Sequence, residues 1–148
     1  MLTGIDPLLT PDLLRALAAM GHGDELAIVD ANYPAEASGR SVIALPGLPA
    51  TRVLEAVLSV LPLDDFTDAA LAVMRDPGGE PPILAEFRAL AARTGYAGGL
   101  EQLERFAFYD RARTAFAVAA TGERRLYGNI LVRKGVVRLP EGHAAAGR

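Results

Sequence analysis

The stretch TPDLLRALAAMGHGDELAIVD, residues 10–30, decides how the rest of the chain is read. Its first half carries a helix with both ends marked. Thr10 suits the N-cap, Pro11 the first helical position, and Asp12 the positive helix end. Leu13, Leu14, Leu17 and Met20 recur on one face, and Gly21 is the stop. Its second half, ELAIVD (25–30), is a short buried strand ending at Asp30 and an Asn-Tyr-Pro turn. Between helix and strand stands His22, framed by Gly21 and Gly23.

The same alternation continues. GRSVIAL (39–45) is a strand candidate. ATRVLEAVLSVL (50–61) is a helix with Val53, Leu54, Val57, Leu58 and Leu61 inward, stopped by Pro62. LAVMR (71–75) is a strand, DPGGEPP a loop, and PILAEFRALAARTG (82–95) a third helix with Ile83, Leu84, Phe87 and Leu90 inward. In the last third, FYDRAR reads as a short helical turn, TAFAVAAT and NILVRKGVV as strands, and residues 138–148 as a flexible tail. Helices and strands alternating in one chain of 148 residues indicate a single α/β domain over residues 1–137. Short connections, such as Asp30 to Gly39, admit antiparallel pairings and hence a mixed sheet; strand order stays open.

Composition removes several function classes. Hydrophobic residues make up 51% and charged residues 22%, enough for a sizeable core. The formal charge of −3, with arginines 15, 40, 52, 75 and 88 scattered, leaves no basic stripe for nucleic acid. Cysteine is absent, which removes disulfides, thiolate metal sites and thiol nucleophiles. The N-terminus lacks a signal-peptide pattern, and no apolar run approaches the roughly 18 residues of a membrane span. A cytoplasmic protein without membrane contact is the expectation. With only His22 and His143 available, no metal site is expected. There is also no phosphate-binding glycine loop and no nucleophilic serine in a sharp strand-to-helix turn.

What remains is His22, Asp30, Arg105, Tyr109, Arg111, Tyr127 and Asn129. Each has two readings. His22 is either a cation at a helix C-terminus or a reachable imidazole suited to proton transfer. Asp30 is either an Asx-turn residue or a substrate contact. Arg105 is either a salt-bridge partner or, with its aromatic neighbours, part of a sugar-binding wall. Tyr127-Gly128-Asn129 is either a plain turn or a binding tripeptide.

Taken together, MGHGDE, DANYP, RFAFYDRA, TGER and YGNILVRKGV resemble the fucose mutarotase family, relatives of the D-ribose pyranase family. The resemblance runs from PLLTPDLL to KGV, and five motifs in order are specific where each alone is weak. It implies a three-layer, ribose pyranase-like α/β fold and interconversion of the α and β anomers of a monosaccharide, L-fucose first, without cofactor. It also implies a ring-like homo-oligomer, such as a decamer, with sites near subunit boundaries. By motif match His22 is the proton donor. Asp30, Arg105, Tyr127, Gly128 and Asn129 contact substrate, and Tyr127 is a second acid–base candidate. Gly-His-Gly-Asp-Glu and Tyr-Gly-Asn favour the fucose side over the ribose pyranases, which tend to carry Gly-His-Thr-Asp and Tyr-Ala-Asn. Pyranose–furanose interconversion of ribose, or sugar binding without catalysis, are the alternatives. One departure is Asn32-Tyr33, where fucose mutarotases tend to carry His-Phe; if position 32 touches sugar, the change shifts sugar preference.

The spacing raises a geometric problem. His22 and Asp30 bracket a strand, and five or six extended residues span roughly 17–20 Å, more than one monosaccharide. Both reach one sugar only if the GHGDE segment folds back or a second subunit supplies one of them.

Overall fold

A computed structural model describes residues 1–38 and 41–140. Four helices and six strands are present among them. In chain order they are α1 (Pro11–Ala19), β1 (Glu25–Val29), β2 (Val42–Leu45), α2 (Ala50–Leu58), β3 (Leu71–Met74), α3 (Ile83–Ala92), β4 (Leu100–Leu103), α4 (Arg105–Ala112), β5 (Ala117–Thr121) and β6 (Ile130–Arg133). The sheet order is β2-β5-β1-β6-β3-β4. β6 alone runs antiparallel, inserted between β1 and β3, and the other neighbours pair parallel. The sheet is therefore mixed.

Strand polarity creates three layers. Successive side chains of a strand point to opposite faces. Leu26, Ile28, Leu71, Val73, Ile130 and Val132 pack with α1, α2 and α3 on one face. Ala27, Val29, Ala72, Met74 and Leu131 pack with Phe108 and Ala112 of α4 on the other. Central strands buried on both faces read as continuous apolar runs, which is why β1 and β3 are buried at every position.

α1 carries the cap expected of it: Thr10 Oγ1 accepts from the Leu13 N–H at 3.3 Å, and Pro11 opens the helix. Two expectations need correction, and one strand went unread. FYDRAR is the second half of a full helix, because the Glu104 carboxylate caps it, accepting from the N–H groups of Phe106 and Ala107 at 2.9 and 3.3 Å. NILVRKGVV forms a strand only over Ile130–Arg133. Leu100–Leu103 is an edge strand with no apolar run to announce it, half-buried or exposed throughout. The first two residues of the strand expected at 39–45, and His143 with most of the expected tail, lie outside the described residues.

Candidate active site

The parallel strands β1, β3, β4 and β5 end at one edge of the sheet, and β6 begins there. In open α/β sheets this carboxyl edge is the usual ligand crevice. Asp30 follows β1 and Asn129 precedes β6, and the two side chains interlock. Asn129 Oδ1 accepts from the Asp30 N–H at 2.8 Å, and Asn129 Nδ2 donates to Asp30 Oδ2 at 2.8 Å. Asp30 Oδ1 accepts from the Asn32 N–H at 2.9 Å, so the Asx-turn reading is also realised. Both residues are buried, Asp30 at 7% exposure and Asn129 at 3%. Burial pushes the Asp30 carboxyl up from its ordinary value, against the opposing hydrogen bonds from Asn32 and Asn129. The Tyr33 N–H also acts on the carboxylate, favouring its charged form.

Tyr127 sits beside this pair with φ +60°, in the left-handed region that a bulky residue rarely enters. Such a conformation costs about 1–3 kcal/mol and persists only where surroundings enforce it. The turn is tightly packed at its next residue, Gly128. A Cβ there would stand 2.6 Å from Glu123 Cγ and 3.2 Å from the Arg125 carbonyl. Glu123 is itself buried and accepts from the N–H groups of Ala50 and Arg125 and from the Arg125 guanidinium. Arg125 holds the Glu123 carboxyl below its ordinary value. Gly128 thus serves close packing, and the turn aims Tyr127 and Asn129. Against Tyr127 lies a cleft of about 440 Å³, whose lining includes Asp76, Glu80, Ile83 and Arg125.

Arg105 opens α4 at the same edge, exposed, with its guanidinium carbon 4.8 Å from the centre of the Phe106 ring. An aromatic chain runs from there back to the Asp30 loop. Phe106 meets Tyr109 at 6.2 Å, and Tyr109 meets Tyr33 at 5.4 Å, both edge to face. Burial pushes the Tyr33 phenol up to about 12, so it stays protonated at neutral pH. Arg111, by contrast, is tied to the buried Glu25 and to Glu101 and serves the scaffold.

His22 lies at the opposite end of β1. Its loop is clamped: the Gly21 N–H donates to Asp24 Oδ2 at 2.7 Å and the Gly23 N–H to the Lys134 carbonyl at 2.8 Å. Gly23 has φ +86°, which explains the second glycine of the frame. The cation at the end of α1 is Lys134, whose Nζ donates to the carbonyls of Leu17 and Met20 at 2.7 and 2.6 Å. The His22 imidazole makes a different contact. Its Nε2 lies 3.0 Å from Oδ1 of Asp64, a side chain only 4% exposed, while that of His22 is 45% exposed. The Phe66 ring leans on it at 5.1 Å. Reasoning from sequence missed Asp64 and Phe66; the adjacent aspartates of PLDDF were the only signal.

The structure therefore brings Asp30, Tyr127, Gly128 and Asn129 together, with Arg105 on the same edge, and separates His22 from them by the length of β1. Five strand residues at about 3.3 Å each make that about 17 Å. Among the described residues no group of three or more His, Asp or Glu side chains could hold a metal ion, and no helix is long and apolar enough to cross a membrane.

Residues 3–137 match the RbsD / FucU transport protein family. The chain belongs to that family. The fucose mutarotase of Homo sapiens is 45% identical over 147 residues, covering 93% of this chain and 96% of that one. The fucose mutarotase of Streptococcus pneumoniae, solved in complex with L-fucose, superposes with a TM-score of 0.88 at 36% identity, over 93% of this chain and 100% of that one. Bacillus subtilis RbsD, solved with D-ribose, shares the fold at TM-score 0.75 and 22% identity over 93% and 100%. In this family member, the resemblance carried by five short motifs extends over the whole domain.

Proposed function

We propose that the protein is a mutarotase interconverting the α and β anomers of L-fucose by ring opening, with His22 as the proton-transfer group. The observation that carries the reading is a half-exposed imidazole anchored through one nitrogen on a buried carboxylate, in a chain 45% identical to a fucose mutarotase. Mutarotation needs little more. The anomeric O–H loses its proton, the C1–ring oxygen bond breaks to leave an aldehyde, and the ring oxygen gains a proton. Rotation about C1–C2 and reclosure give the other anomer. The reaction already proceeds in water, so the ~10²–10⁴-fold supplied by positioned acid–base groups suffices.

His22 donates to the ring oxygen, and Tyr127 is the second candidate for the anomeric proton. Asp30 accepts from sugar hydroxyls. Asn129, Tyr127 and Arg105 supply further hydrogen bonds, with Arg105 offering a rigid fork of donors. Because His22 and the Asp30 group lie at opposite ends of one strand, a complete site requires two copies. A contact between the His22 end of one copy and the Asp30 end of another is met by a two-fold pair, each copy completing the other's site, or by head-to-tail contacts, which form a ring where the rotation closes. We infer a homo-oligomer on that ground, and a ring-like one from the family resemblance.

Exchange NMR on L-fucose and D-ribose tests the reading. Acceleration for L-fucose that His22→Ala abolishes supports it; no acceleration for any sugar leaves a binding protein, and preferential ribose turnover leaves a pyranase. The shared site has its own test. Mixed oligomers reassembled from equal amounts of His22→Ala and Asn129→Ala chains should regain activity in about a quarter of their sites, as a site shared between two copies requires. No recovery on mixing rejects the shared site.

A further inference from the structure

We propose that Asp64 is the positioning residue of His22, fixing the neutral imidazole as the Nε2–H tautomer so that Nδ1 is the nitrogen that exchanges protons with the sugar. The proposal rests on the proton-transfer role of His22 given above. Asp64 Oδ1 accepts from the Phe66 N–H at 3.0 Å and meets His22 Nε2 at 3.0 Å. An ionised carboxylate is acceptor-only, so the nitrogen facing it carries the hydrogen. Nδ1 has no hydrogen-bond partner among the described residues, and the ring is 45% exposed. Phe66 leans against the ring and limits its rotation. The other charges nearby, Asp65 and Arg138, are paired with each other through two hydrogen bonds.

The carboxylate is held by a backbone device whose sequence signal is Gly135 of the KGV motif. Leu63 bridges to Lys134, the Asp64 N–H donates to the Arg133 carbonyl at 3.1 Å, and the Gly135 N–H donates to the Pro62 carbonyl at 2.8 Å. A Cβ on Gly135 would stand 2.5 Å from the Leu63 carbonyl oxygen and 2.8 Å from Asp64 Cα. Residues 62–64 and 133–135 can therefore lie this close only with glycine at 135. Lys134 ties the same segment to the His22 loop, since Gly23 donates to its carbonyl. Imidazole, carboxylate and the end of β6 form one unit.

With the ring so fixed, neutral Nδ1 first takes the anomeric O–H proton, and the resulting imidazolium then gives it from Nδ1 to the ring oxygen as the C1–ring oxygen bond breaks. Asp64 exchanges none. The direct test is two-bond ¹H–¹⁵N correlation on ¹⁵N-histidine-labelled protein, with His143→Gln isolating the His22 signals. The expected pattern is protonated Nε2 and bare Nδ1 in the neutral ring. Asp64→Ala, which removes the acceptor altogether, should release the preference for the Nε2–H form and lower kcat for anomer exchange about 10- to 100-fold, within the total that acid–base groups supply, while KM moves less than about twofold. A wild-type ring protonated on Nδ1 overturns the proposal, as does a folded Asp64→Ala enzyme with unchanged kcat. If that variant does not fold, the wild-type spectrum alone decides. The two readings fail separately: His22→Ala with full activity rejects the proton-transfer role, whereas an inactive His22→Ala beside a fully active Asp64→Ala rejects only the positioning.

Discussion

Exchanging the partners of the Asp30–Asn129 lock should reveal how the carboxyl edge is held. As a carboxylate, Asp30 accepts on both sides, from the Asn32 N–H and from Asn129 Nδ2. Asn129 is oriented by the Asp30 N–H, which needs its oxygen. In Asp30→Asn one end of the new amide is a donor, and whichever way it turns, that donor faces a donor. A buried polar group left unpaired costs about 1–3 kcal/mol. Part is offset, because burial already works against the Asp30 charge. The expected net loss is about 1–2 kcal/mol at pH 7. Asn129→Asp fails for the opposite reason, setting two carboxylates against each other. The double variant Asp30→Asn/Asn129→Asp restores the pattern. The aspartate at 129 accepts from the residue-30 N–H and from the new amide, whose oxygen still accepts from Asn32. Urea unfolding followed by circular dichroism, at fixed protein concentration because assembly contributes, gives the cycle. The prediction is two destabilised singles and a double near wild type, a coupling equal to the sum of the two single losses, about 2–3 kcal/mol. Additivity within about 0.5 kcal/mol would refute the interlock.

Three further outcomes follow from the same geometry. Gly135→Ala should cost about 1–3 kcal/mol by overpacking and lower the anomer exchange rate as well, read by denaturation and exchange NMR on the same sample. Glu123→Gln tests linkage. The Glu123 carboxyl is held below 4.5, mainly by the Arg125 hydrogen bonds, so its contribution is present above pH 4.5 and lost as pH falls through the lowered folded value. The stability gap to wild type should be full at pH 6 and shrink on acidification below about 4.5; a gap that widens on acidification contradicts the pairing. Tyr127→Phe keeps the ring and backbone but removes the hydroxyl. About a tenfold or greater fall in kcat assigns it a proton, and an unchanged rate removes it from the relay.

The helices and central strands were legible because periodicity and punctuation agreed: Thr10-Pro11 before α1, Pro62 after α2, and unbroken apolar runs at β1 and β3. β4 was not, because Leu100–Leu103 is an edge strand with little to bury. α4 was read short because its cap is a glutamate, outside the favoured N-cap residues. Sheet order was beyond reach, since inserting β6 between β1 and β3 depends on pairings distant in sequence.

The candidate site divides the same way. Asp30 and the Tyr127-Gly128-Asn129 tripeptide meet across 99 residues, yet both stand at strand ends, where a local motif survives as a unit. His22 and Asp64 meet across 42 residues through a segment that is neither helix nor strand, and the joining signal is a glycine on a third segment. A motif reading assigns a reason to a glycine only when its own loop shows one. In sequence Gly21 and Gly23 frame the imidazole. In the fold Gly23 supplies a left-handed turn, and the glycine that bears most directly on that imidazole is Gly135, 113 positions after His22, because it admits the carboxylate that holds the ring. The eight-residue spacing from His22 to Asp30 follows from the same architecture. It equals one strand with its two ends, so the imidazole and the Asp30 carboxylate occupy opposite rims of the sheet, which is why the function proposed for them calls for a second copy.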